Sequence, residues 1–150
     1  MERIAIVVSE FNFDVTRIML EKALSHAKFL GAEVTVVAKS PGTFDSPYLV
    51  REVIEKDYVD GVVVLGAVIK GETDHDEVVA HQAARKILDI GVEKGKPVSL
   101  GVIGPGVSRP QALERAEEYA ARAVEAVVKA VRRIRSLRKA EFKGETLVIE

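Results

Sequence analysis

The sequence predicts one α/β domain built on a four-stranded parallel sheet with helices on both faces. Three observations carry this. Four short β-branched runs alternate with four stretches whose apolar residues recur every three or four positions, the pattern of a sheet joined by right-handed crossovers. The runs are continuously apolar, as strands covered on both faces should be. A length of 150 residues with 47% hydrophobic content suffices for one ordinary core.

The first strand is Ile4-Ala-Ile-Val-Val-Ser9. Glu10 to Asp14 breaks it, and Asp14 is placed to cap a helix with Val15, Ile18, Met19, Ala23, Ala27 and Leu30 inward. Gly31 stops that helix. Glu33 to Ala38 is the second strand, followed by a loop in which Pro41-Gly42 sets a turn. Ser46 then caps a helix with Pro47 in its first turn, Leu49, Val50, Val53 and Ile54 inward, and an end near Lys56.

Asp60 to Ile69 is the third and most apolar strand. After His75 a helix runs to about Gly91, with Val78, Val79, Ala83, Ala84, Ile87 and Leu88 as its apolar set. Pro97 to Ile103 is the fourth strand, and Gly104-Pro-Gly106 leads into a helix from about Arg109 to Arg138. Its inward stripe is Leu113, Ala116, Ala120, Ala123, Val127, Val131 and Ile134. Residues 1–138 form the domain, and 139–150 a tail with strand character but no local partner.

A net charge of −1, from 22 basic and 23 acidic residues, gives no field drawing the protein toward nucleic acid or an anionic membrane. The basic end of the last helix reads as a solvated face complementing the helix's negative pole. The absence of cysteine excludes disulfides, thiol catalysis and cysteine-bound metal. The amino terminus lacks signal-peptide character, and the longest apolar run, Val62 to Ile69, is far too short for a bilayer. A soluble, cytoplasmic protein is expected. Charged residues at 30%, with neither Cys nor Trp, fit a heat-adapted source.

In such sheets ligands bind outside the carboxyl ends of the strands, where residues 10–14, 39–46, 67–75 and 101–109 meet. Thr73-Asp-His-Asp76 fits a capping box, Thr73 as cap and Asp76 as the reciprocal acid. It equally fits an anion site, since exposed amides at a helix start next to Gly71 favour phosphate or carboxylate. Glu72, Asp74 and Asp76 oppose an anion, so a cation is needed, and Arg115 is the candidate. His75 carries an imidazole, the side-chain group suited to proton exchange near neutral pH. His75 and His81 are six apart and fall on different sides of a helix, so a metal site is rejected. Phe11 and Phe44, both in strand-end loops, read either as local staples or as walls for a flat heterocycle.

Phe11-Asn12, Pro41-Gly-Thr-Phe-Asp-Ser-Pro47, Gly66-Ala-Val-Ile-Lys-Gly-Glu-Thr-Asp-His75 and Gln111-Ala-Leu-Glu-Arg115 together resemble the 6,7-dimethyl-8-ribityllumazine synthase family of riboflavin biosynthesis, in its short archaeal form. The likeness covers residues 3 to about 137. It implies a flavodoxin-like α/β/α sandwich with strand order 2-1-3-4. It also implies condensation of 5-amino-6-(D-ribitylamino)uracil with 3,4-dihydroxy-2-butanone 4-phosphate, with loss of phosphate and water and no cofactor. By position, Phe11 stacks on the pyrimidine; Thr43, Phe44 and Asp45 meet the ribityl chain and ring; Ala67, Val68 and Ile69 line the ring pocket. Glu72 and Thr73 hold phosphate through backbone amides, and His75 moves protons. Leu100 and Arg115 complete a neighbouring subunit's pocket, Arg115 as the phosphate's countercharge. The implied assembly is a homo-oligomer of pentamers, free or closed into a sixty-subunit shell.

The chain departs from bacterial members by Asp45 for Glu and by Leu100 for an aromatic residue. Their lysine following the arginine has only Arg122 as a counterpart, one residue out of register. Their extra amino-terminal strand, which pairs with an adjacent subunit, has no equivalent, and Lys143 to Ile149 is expected to fill that edge. Two other readings stay open: an archaeal-type riboflavin synthase, which needs no phosphate site, and a non-catalytic shell protein of the same fold.

Overall fold

The computed structural model describes residues 1–150. Arg3–Ser9 (β1), Glu33–Ser40 (β2), Gly61–Ile69 (β3) and Val98–Val107 (β4) pair in parallel in the order β2-β1-β3-β4. Phe13–Phe29 (α1), Ser46–Val53 (α2), His75–Lys94 (α3) and Arg109–Lys139 (α4) alternate with them, and a 3-10 turn, Thr43–Asp45, precedes α2. The predicted fold class and strand order are those observed.

The continuous apolar runs are explained by burial on both faces. Along β1, Ile4, Ile6 and Val8 pack with α1 and α4, while Ala5 and Val7 pack with α2 and α3. Every residue of β3 from Gly61 to Val68 is buried, so this strand forms the centre of the molecule. β2 is an edge, and several of its residues are only half-buried.

Helix phase is where expectation and structure part. α3 buries Ala80, Ala83, Ile87 and Ile90, leaving Val78 and Leu88 56% and 60% exposed. α3 carries apolar side chains on two sides, so its periodicity alone selects no face. The side rich in alanine lets the helix approach the sheet closely, and it wins. In α4, Ala112 rather than Leu113 faces the core, for the same reason of space.

β4 continues past the expected Ile103 to Val107, which pairs with Ile69 after a shift in register. This prolongation lets the amide of Lys70 donate to the Val107 carbonyl (2.9 Å), so the loops after β3 and β4 leave the sheet side by side. At the opposite end of the sheet, Asp60 accepts from the Arg3 amide (2.8 Å) and from Arg135 Nη2 (2.7 Å). Partial burial opposes ionisation of Asp60, but that amide and the charges of Arg135 and Arg3 outweigh it and lower its pKa. Residues 140–150 form neither helix nor strand, and Phe142 and Val148 are exposed.

Candidate active site

The loops at the carboxyl ends of β1, β2 and β3, with the start of α4, converge on a crevice of about 700 Å³. Phe11 and Asn12 line it from the loop after β1, Thr43, Phe44 and Asp45 from the loop after β2, and Ala67 to Thr73 with His75 from β3 and its loop, Glu72 excepted. Arg109 enters from the first turn of α4. Nine of the expected residues, from Phe11 to His75, are thus brought together.

The aromatic walls are not staples. Phe11 is 70% and Phe44 55% exposed, so neither ring is consumed by packing within the chain, and both border the crevice. The Phe11 backbone is held by donation of its amide to the Pro41 carbonyl (3.1 Å). Thr43 is buried beneath the crevice against Gly66, where an added Cβ would lie 2.6 Å from the Thr43 hydroxyl. This close approach is why a glycine interrupts the most apolar strand.

Three expected caps do not form, and two of the carboxylates involved, Asp14 and Asp76, take distant partners instead. α1 begins at Phe13, after an Asn12 in the left-handed region (φ 61°, ψ 46°) with no side-chain cap. Asp14 does not cap, because Arg109 Nη1 donates to both of its carboxylate oxygens (2.6 and 2.7 Å). Hydrogen bonding from Arg109, reinforced by its charge, holds the Asp14 carboxyl below the usual range. At α2 the cap position falls on Asp45, and the Ser46 hydroxyl donates to the Gly42 carbonyl (3.4 Å).

At α3 the capping box does not form. The cap position is Asp74, and Thr73 Oγ1 is a distant acceptor for the His75 amide (3.4 Å). Asp76, only 5% exposed, accepts instead from the Gly106 amide (2.9 Å). A reciprocal capping box does form at α4, between Ser108 and Gln111. The amides of Glu72, Thr73 and Asp74, just before α3, donate to nothing within the chain, and His75 stands exposed at the crevice as the helix begins.

Glu72 is exposed and does not line the crevice, and Leu100 and Arg115 lie outside it on β4 and α4. Sequence reasoning missed Arg109 and Asp76 as parts of the site wall. Asp76 was legible only as a cap, and nothing local marks Arg109, whose partners are 95 and 97 residues away. No cluster of histidine and carboxylates suited to a metal occurs.

Fold and crevice define an α/β protein of flavodoxin-like topology, with an aromatic-walled crevice and a helix amino terminus at the strand ends. The chain belongs to the 6,7-dimethyl-8-ribityllumazine synthase family, which it matches over residues 2–135. A 6,7-dimethyl-8-ribityllumazine synthase of Pyrobaculum arsenaticum is 67% identical over all of both chains. One of Aeropyrum pernix is 68% identical over 90% of this chain and 92% of its own. One of Staphylothermus marinus is 59% identical over the whole of both.

Proposed function

We propose that this protein condenses 5-amino-6-(D-ribitylamino)uracil with 3,4-dihydroxy-2-butanone 4-phosphate to give 6,7-dimethyl-8-ribityllumazine, phosphate and water. One observation supports the reading above all: in a chain that matches this family almost end to end, nine of the expected residues, Glu72 being the exception between Phe11 and His75, lie around one crevice. The chemistry follows from the groups at hand. The uracil's 5-amino nitrogen adds to the ketone carbon and water leaves to form an imine. Loss of the C3 proton and the C4 phosphate leaves an enol that becomes a ketone at C3; the ribitylamino nitrogen attacks that carbon, and its oxygen leaves as water when the second ring closes.

Phe11 stacks on the flat pyrimidine, while Ala67, Val68 and Ile69 exclude water from it. Thr43, Phe44 and Asp45 hold the ribityl chain. The phosphate lies at the amino end of α3, where the amides of Glu72 and Thr73 meet it; amide binding leaves the Glu72 side chain free to face solvent, as it does. His75, beside it, carries protons to the carbonyl oxygen and the leaving phosphate. No bound cofactor takes part.

Arg115 and Leu100 serve a second subunit's pocket. Both are exposed on their own chain, which leaves Arg115 able to pair with a phosphate held elsewhere. Exposed apolar residues outside the crevice, among them Val78, Leu88 and Val92 on α3 and Phe29 on α1, support self-association, with pentamers as the unit. The tail from Lys143 to Ile149 supplies an edge strand to a neighbour; the open edge of β2 and the unburied side chains of the tail support that role. No helix is long and apolar enough to cross a membrane, in keeping with a cytoplasmic enzyme.

The test is to supply both substrates and follow formation of the fluorescent lumazine. Absence of product, with substrates that an authentic synthase consumes, overturns the assignment. Light scattering then separates pentamer from shell, and deletion of residues 140–150 should weaken the assembly.

A further inference from the structure

The crevice has one aromatic wall that the chain's own packing does not hold. Phe11 stands between the end of β1 and an Asn12 forced into a left-handed conformation. A non-glycine residue there is strained, and asparagine tolerates it better than most. The Phe11 ring is largely exposed, so its direction is set by the backbone at residues 11 and 12.

Besides the backbone bond from the Phe11 amide to Pro41 (3.1 Å), a chain of side-chain bonds holds this segment through Asn12. Asn12 Nδ2 donates to the Ala67 carbonyl (2.7 Å), joining the loop after β1 to the strand that floors the crevice. Asn12 Oδ1 accepts from Arg109 Nη2 (2.9 Å). Arg109 Nη1 in turn grips both oxygens of Asp14, in the first turn of α1. A planar guanidinium with two parallel donors suits this task, because it fixes orientation as well as distance.

We propose that Asn12, Asp14 and Arg109 form a positioning clamp that presets Phe11 against Ala67 and so determines affinity for the flat heterocyclic substrate. Arg109 faces the crevice, yet its charge is already matched by Asp14. It acts through Asn12 and not as a second phosphate ligand. Without the clamp, residues 11 and 12 sample other conformations, and substrate binding must order them. The proposal rests on the lumazine synthase reading only for the identity of the heterocycle.

The test is steady-state kinetics on the full-length protein, with each substrate varied in turn, for Arg109→Ala and Asn12→Gly. Glycine keeps access to the left-handed conformation but loses both side-chain bonds, and it leaves the Arg109–Asp14 pair intact. Both variants should raise KM for 5-amino-6-(D-ribitylamino)uracil by about tenfold while KM for the ketose phosphate stays within about twofold. A selective rise for the phosphate substrate would make Arg109 a direct phosphate ligand and overturn the clamp. Unchanged or equally raised values in both variants also overturn it. If Arg109→Ala does not fold, Asn12→Gly decides by the same criterion. A wild-type protein that forms no lumazine defeats the assigned reaction instead, a result that the variants cannot mimic.

Discussion

The carboxylate of Asp76 accepts a hydrogen bond from the backbone N–H of Gly106 at 2.9 Å, tying the first turn of α3 to the loop after β4. Its other oxygen, Oδ1, is buried and has no partner within the chain. Asp76→Ala should therefore destabilise the protein by about 1–3 kcal/mol, since it removes the hydrogen bond of a nearly buried carboxylate to the backbone. Asp76→Asn should cost less, because its amide oxygen can still accept. Denaturant unfolding of the two variants checks the order, and equal losses would refute it.

Gly104 and Gly106 flank one proline but carry different constraints. At Gly104 φ is +106° and an added Cβ would lie 2.2 Å from the Val68 carbonyl oxygen; at Gly106 φ is +80° and nothing lies within 4 Å. Gly104→Ala adds a backbone collision to the strain and should lose about 3 kcal/mol or more. Gly106→Ala carries the conformational term alone, about 1–2 kcal/mol. Thermal unfolding of both variants tests the difference.

Asp60 couples stability to acid. Its folded pKa is lowered, so its contribution is complete above the ordinary carboxyl value of about 4 and is lost as pH falls through the lowered folded value. Asp60→Asn should lose about 1–2 kcal/mol at neutral pH and show a flatter fall in stability below about pH 4. Guanidinium unfolding at pH 7 and pH 3 measures both, and parallel pH profiles would remove Asp60 from the acid response.

His75 and Arg115 should separate kinetically. His75→Ala should lower kcat by about 10²-fold or less if proton transfer is its only task. Arg115→Ala should raise KM for the ketose phosphate far more than for the ribitylaminouracil. Equal effects on the two substrates would move the phosphate away from Arg115.

What local pattern encodes was legible in the chain. β-branched runs without alternation specify strands buried on both faces, and four of them separated by helical periods leave little but a parallel sheet. Its strand ends bring residues from Phe11 to His75 together because that topology places every odd loop on one side. The phase of α3 and α4, the fate of three helix caps and the roles of Asp76 and Arg109 were decided only in three dimensions. A carboxylate near a helix start takes the best donor within reach, and for Asp14 and Asp76 that donor lies 95 and 30 residues away. Sequence spacing cannot rank such distant partners against a local amide, whereas the folded geometry does so by distance.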